Sequence, residues 1–448
     1  MKVLGYGALA IFTLILAACA GLGDFSSDDP NVAEAAPAFV GDFVVLSDAD
    51  QSSATYATGN LERLPNGRDE IALFRDGIAT GAAKASNSVV GWPEIAAASP
   101  DGRLVFTVET RGPPPGDVET VENIRAALAP GRRLNVYDVS GDAPALVDTT
   151  ADIGQNPQSV AYVERGGFLV VATEAPDAEL VVVRVDDAGE LAGLRRLPLS
   201  LPLRDDDAAP FVRSLRPSPD GALLAANVAN RRVQFYRLDY DADGLASAAR
   251  PYGAATPDLG RRIAVGKWSA DGRHFLISDT NGGCGSACML TQGPGAMISL
   301  RPPAGPDAAP EIVSRATVGR FPESFDLSPD GTRIATVNME RTYLPNYWFL
   351  SNWPNRRRYS VTLLSFDADT GALAPLDEIR QAGALPEDIV FDTTGENLAV
   401  AVFHRRRGPA RRRGFIDFFS LADDRNALSS QGKTQSLMRG AHALAPIY

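Results

Sequence analysis

Short runs of apolar, β-branched and aromatic residues recur in pairs along the chain, and a tight polar turn joins the members of each pair. The turns are Ser99-Pro100-Asp101-Gly102, Arg165-Gly166-Gly167, Ser218-Pro219-Asp220-Gly221, Ser269-Ala270-Asp271-Gly272, Ser328-Pro329-Asp330-Gly331 and Thr393-Thr394-Gly395. Their last glycines lie 65, 54, 51, 59 and 64 residues apart. A unit of that size is too long for one hairpin and suits four antiparallel strands.

Third strands follow the hairpins, as in Leu180–Val185, Val233–Leu238, Val361–Phe366 and Phe415–Leu421. Three of them run into acidic turns, Asp186–Gly189, Asp241–Gly244 and Asp367–Gly371. The six units fill residues 92–439 and leave a fragment at each end. Gly440–Ile447 reads as a first strand without its turn, Asp42–Ser47 as a second strand without a first, and Glu70–Phe74 as a third. A four-stranded sheet cannot bury both faces alone, so the sheets must pack radially. The pattern predicts an all-β, seven-bladed β-propeller of four-stranded antiparallel blades over residues 38–448, its ring closed by N- and C-terminal strands. Closure also removes exposed sheet edges.

Composition agrees. Hydrophobic residues make up 45% and charged residues 22%, enough for a sizeable core and incompatible with global disorder. Gly 41 and Pro 32 argue against a mainly helical chain. A formal charge of −12 argues against a general binder of nucleic acid, and three histidines limit imidazole chemistry.

The N-terminus has a different character. Lys2 precedes an apolar run from Val3 to Leu16, too short for a membrane span and apt for a signal-peptide core. It ends in Leu16-Ala17-Ala18-Cys19, which resembles the signal of bacterial lipoproteins. That resemblance implies removal of residues 1–18 and a lipidated Cys19, with anchoring by buried methylenes. Ala20, where inner-membrane lipoproteins commonly carry Asp, favours the outer membrane of the cell envelope. With Cys19, the stretch Ala20–Pro37 completes a tether, residues 19–37, whose flexible part reaches about 24 Å. Cys284 and Cys288 suit a local disulfide in an exported protein, with half of a metal site as the alternative.

The Ser-Pro-Asp-Gly turns and the Pro-led first strands resemble the YVTN-type and lactonase-like seven-bladed propellers over residues 41–448. Trp-Asp blade endings and ordered tryptophan repeats are absent. The resemblance implies the fold; propellers host unrelated activities.

Loop length distinguishes the two faces of the ring. Second-to-third connections are long in five blades, Ala49–Asp69, Thr110–Arg132, Thr280–Ala296, Met339–Arg358 and His404–Gly414, which predicts a walled site on that face. Second strands should end there at Asp48, Glu109, Glu174, Val228, Asp279, Asn338 and Val402. Glu94, Glu323 and Glu387 follow the prolines that open three first strands and bring further carboxylates toward the axis. Carboxylates this close need a cation, and Ca²⁺, a cationic ligand or Arg213 would serve. Asp48, Glu109, Glu174, Asp279 and Asn338 are the candidate ligands of such a metal; capping of loop amides is the alternative. The composition also resembles the calcium-dependent lactonases and esterases of the gluconolactonase and paraoxonase kind, which implies Ca²⁺ polarising an ester carbonyl. Those enzymes have six blades, and their ligands do not align here residue by residue. His404 and His442 are candidate bases or structural residues.

Outside the channel, Tyr343, Tyr347, Trp348, Phe349 and Trp353 crowd one loop that ends in Arg356, Arg357 and Arg358. The next blade carries Arg405, Arg406, Arg407, Arg411, Arg412 and Arg413. Arginines beside aromatics suit an anionic partner such as an envelope protein or glycolipid, with a solvated rim as the alternative. Asp239–Gly244 begins like a calcium loop, but Arg250 stands where the twelfth-position Glu belongs, so a hairpin turn is expected. The leading expectation is a monomeric, lipid-anchored binding propeller, and the second a metal-assisted lactonase or esterase.

Overall fold

The computed structural model describes residues 36–447 apart from 52, 65–66, 116–119, 283–289, 345–355 and 406–411. These residues form seven four-stranded antiparallel sheets and one two-stranded ribbon. The innermost strand of each sheet contacts that of the next, and the last contacts the first, so the sheets are blades of a closed ring. The expected seven-bladed propeller is the observed one.

Closure is as the end fragments imply. Ala441–Ile447, Asp42–Ser47, Glu70–Arg75 and Ile78–Lys84 form blade 7 in that spatial order. Asp42 lies opposite Ile447 on one side and Arg75 on the other, and Leu46 lies opposite Ala443 and Ile71. The second strand therefore bonds along both edges and joins the two ends of the chain.

Blades 1 to 6 begin at Ala96, Ser159, Val212, Ile263, Pro322 and Ala384. Middle strands such as Phe168–Ala172 are buried at every residue, because neighbouring blades cover both of their faces. Outer strands such as Leu191–Leu197 are largely exposed. In the repeated turn, the hydroxyls of Ser99, Ser218, Ser269 and Ser328 donate to the Asp two residues on at 2.5–2.6 Å. Each also accepts the amide five residues on at 2.9–3.0 Å. The following glycines have φ of +67° to +69°, a conformation that a Cβ disfavours. The Asp239–Gly244 segment closes a hairpin as expected: Asp241 accepts the amides of Asp243 and Leu245, both at 3.0 Å.

A second irregularity positions the site. First and second strands pair with one extra residue on the first strand in blades 3, 5, 6 and 7, at Arg213, Glu323, Glu387 and His442. Blade 4 has the same shift between Ile263 and Gly266. A bulge re-aims the side chain it carries, and these bulges stand where the strands begin on the long-loop face.

Gly440 couples ring closure to that face. Its φ is +90°, and a Cβ there would lie 1.7 Å from the Asp48 carbonyl oxygen, whose own amide donates to the Gly440 carbonyl at 2.8 Å. Gly440→Ala is expected to cost about 2–4 kcal/mol, read as a fall in the denaturation midpoint, whereas Gly432→Ala in an open turn costs less.

Candidate functional site

The insertions of blades 7 and 1 meet over the channel. The first contains helix Ser53–Thr58, the second helix Ile124–Ala127, and strands Leu61–Glu62 and Thr120–Val121 pair between them. Leu61, Val89, Val121, Ile124 and Leu128 form a small core under this lid. Beneath it lies a cavity of about 270 Å³ whose walls include Tyr56, Trp92, Arg125, Arg213, Arg262 and Glu323.

Arg213, the extra residue of blade 3, is 2% exposed. Its guanidinium carbon lies 5.4 Å from the Trp92 ring centre, and that of Arg262 lies 5.1 Å from the same ring. Burial pulls the proton affinity of Arg213 well below the usual arginine range, and the charges of Arg125 and Arg262 add to the effect. No carboxylate among the described residues stands within ion-pair distance of these three arginines. Their charge is therefore available to an anion.

A hydrogen-bonded chain fixes Arg213. The Gln158 amide nitrogen donates to Glu174 at 2.8 Å and to the Asn156 carbonyl at 3.0 Å. Both amide protons are thus engaged, and the Gln158 oxygen is left to accept from Arg213. Glu174 also accepts from the Asn156 side chain at 2.9 Å and stands 3.9 Å from Arg111.

The carboxyl groups of the site are buried acids. Glu323 is 4% exposed and its Oε2 has no hydrogen-bond partner among the described residues. Burial pushes its pKa up to about 8, against the opposing pull of Arg262 and Arg213. Glu387 accepts the Tyr56 hydroxyl at 2.7 Å, and burial, reinforced by Glu323, holds it well above the carboxylate range. Where the sequence led to a cluster of carboxylates, three guanidiniums stand beside carboxyls whose proton affinity burial raises.

The five candidate metal ligands do not come together. Asp48 accepts Gln51 at 2.8 Å and the Asp50 amide at 3.2 Å. Glu109 stands 3.9 Å from Arg133, Glu174 holds Gln158, and Asp279 accepts the Asn281 amide at 2.9 Å. Asn338 donates to Thr362 at 3.0 Å and accepts from Thr336 at 3.1 Å. Each serves its own blade and loop, so this set does not fit a shared Ca²⁺. Among the described residues, no group of three or more His, Cys, Asp or Glu side chains could hold a metal ion.

Neither candidate histidine lines the cavity. His442 packs on Phe403 at 5.8 Å, and burial pushes its pKa down to about 4. His404 bonds the Arg405 carbonyl at 2.8 Å. Of the arginine patch, Arg356 is buried and Arg405 is held by Asp417 at 2.6 Å and by the Phe415 ring at 4.6 Å. Arg357, Arg358, Arg412 and Arg413 are exposed. Tyr343 is buried against Phe321. Tyr347, Trp348, Phe349, Trp353, Arg406, Arg407 and Arg411 lie outside the described residues, as do Cys19, Cys284 and Cys288.

Neither a protein-family model nor a curated protein matches the sequence. Solved structures do. The periplasmic gluconolactonase of Pseudomonas aeruginosa superposes with a TM-score of 0.58 at 18% identity, over 91% of this chain and 99% of its own. A Bacteroides fragilis protein provisionally named a 6-phosphogluconolactonase gives 0.57 at 16% identity, over 95% and 100%. A functionally unknown protein from Desulfotomaculum acetoxidans gives 0.57 at 12%, over 91% and 99%. The chain shares its fold with the lactonase-like seven-bladed propellers.

In this propeller the buried acids set a pH dependence. Glu323 (about 8), Asp388 (about 7) and Asp48 (about 6) all have folded pKa values raised by burial above those of the unfolded chain. The folded state then holds more protons than the unfolded one between the two values, so stability falls as pH rises. Buried His442 acts in the opposite sense below about pH 6.5, so the urea midpoint is expected to drop between about pH 6.5 and about pH 8.5, since each tenfold rise in proton affinity on folding is worth about 1.4 kcal/mol, and Glu323→Gln is expected to flatten that drop. A midpoint rising over that window overturns this assignment.

Proposed function

We propose that the propeller hydrolyses a small lactone or ester bearing an anionic group, in the cavity under the lid. One observation carries this reading: two arginines without a carboxylate partner among the described residues face the same cavity as Glu323, whose pKa is near neutrality. The lactonase names of two structural neighbours support it.

Arg213 and Arg262 attract the anionic group and the carbonyl oxygen, and Trp92 offers them an apolar, polarisable face. Water attacks the carbonyl carbon while the Glu323 carboxylate takes its proton. Collapse of the tetrahedral intermediate breaks the ring C–O bond, and the alkoxide recovers that proton, giving the hydroxy acid. A pKa near the working pH lets one carboxyl serve in both directions. Gln158 and Glu174 hold Arg213 in place throughout.

Ring opening of glucono-δ-lactone and its 6-phosphate, followed by acid release, tests the reading. Arg213→Gln is expected to lower kcat by about 10²–10³. Glu323→Gln should lower it by about 10²–10⁴ and abolish a rise in rate centred near pH 8. Turnover of neither lactone above the level of these variants would sink it.

The lipoprotein-like signal and a periplasmic neighbour support a place in the cell envelope, with the body held through Cys19. A docking role for the rim is a second reading, favoured by exposed Arg357, Arg358, Arg412 and Arg413 on adjacent blades. Replacing these four with Ser should reduce co-sedimentation with anionic-lipid vesicles at least several-fold and leave lactone turnover unchanged; undiminished co-sedimentation counts against docking.

A further inference from the structure

The channel has a second cavity, of about 550 Å³, which shares no lining residue with the first. The first strands divide the axis between them. Trp92 lines the upper cavity and Pro93 and Glu94 the lower, and Glu323 lines the upper and Ser324 the lower.

Two features of the lower cavity are not explained by folding alone. Its wall is built from Ala96, Ala97, Ala98, Ala161 and Ala445. Alanine is a poor strand former, and three in succession make up the whole first strand of blade 1. Bulkier residues would serve the sheet better and fill the axis, so the small side chains preserve space.

The second feature is an excess of unused donors on the cations. Arg216 gives its Nε to Glu94 at 2.8 Å, and its other two nitrogens have no partner among the described residues. Lys267 makes one bond, to Asp326 at 2.7 Å, from three donors. The anions differ. Asp388 accepts from Ser324 at 2.6 Å and from the amides of Ile389 and Leu444 at 2.9 and 2.7 Å. Asp326 accepts the Phe391 amide at 2.8 Å besides Lys267. Glu94 Oε2 is buried without a partner among the described residues, and Glu164 is exposed. Two cations thus keep most of their donors free beside an alanine-walled space that they share with Glu94 and Glu164.

We propose that this cavity is a second binding site, for a small molecule with an apolar body and an anionic carboxylate or phosphate head. The head pairs with the free nitrogens of Arg216 and with Lys267, and the body lies along the alanines. The inference is independent of hydrolysis in the upper cavity.

Calorimetric titration of the full-length protein with acetate, hexanoate and inorganic phosphate tests it. Hexanoate is expected to saturate and to bind about tenfold or more tightly than acetate, because the walls take up its methylenes. Binding should persist in Arg213→Gln, which alters only the upper cavity, and fall at least tenfold in Lys267→Met. Ala97→Leu narrows the alanine wall without touching a charge, and should weaken hexanoate binding at least tenfold while the melting temperature stays close to that of the parent. Phosphate binding more tightly than either carboxylate, with the same response to the variants, assigns a phosphate head. No saturable binding of any of the three overturns the proposal, as does binding lost in Arg213→Gln but intact in Ala97→Leu.

Discussion

The pairing of Asp42–Ser47 with Ala441–Ile447 is the interaction on which the remaining geometry depends. Without it, two blades would present raw faces and the innermost strands would have no reason to point at a common axis. With it, seven strand beginnings stand in a circle, and residues more than a hundred positions apart become neighbours. Arg213, Glu323 and Glu387 belong to three different blades, yet the ring sets them around one mouth.

The bulges turn that circle into a chemical site. In a regular ladder each first-strand residue sits opposite a partner on the second strand. One extra residue leaves Arg213, Glu323, Glu387 and His442 unpaired and re-aims their side chains. The same device yields different results according to the side chain: an arginine that lines the upper cavity, two carboxyls whose proton affinity burial raises, and in blade 7 an imidazole that packs on Phe403.

The architecture was legible in the sequence because its signals are local and repeated. Each Asp-Gly turn needs a positive φ, and a glycine at intervals of 51 to 65 residues reveals the period even where strands diverge. The end fragments could be joined because each lacks what the other supplies. The height of the site along the axis was also legible, and Glu323, Glu387 and Arg213 were placed near it. Counting from turn glycines, however, finds where second strands end, and those ends face their own loops. Asp48, Asp279 and Asn338 accordingly bond loop and neighbouring-strand partners. Arg262 carried no warning, since its strand lacks the Pro-Glu opening of its sisters. Tyr56 and Arg125 stand on helices of six and four residues beside a ribbon of two-residue strands, all too short to leave a periodic trace.

The alternation of Glu323 with Ser324 has a further consequence. One peptide unit separates a group facing one cavity from a group facing the other, and Asp388, which lines the lower cavity and is bonded to Ser324, raises the proton affinity of Glu323 and Glu387. The floor of the upper cavity and the roof of the lower are therefore one thin dielectric partition.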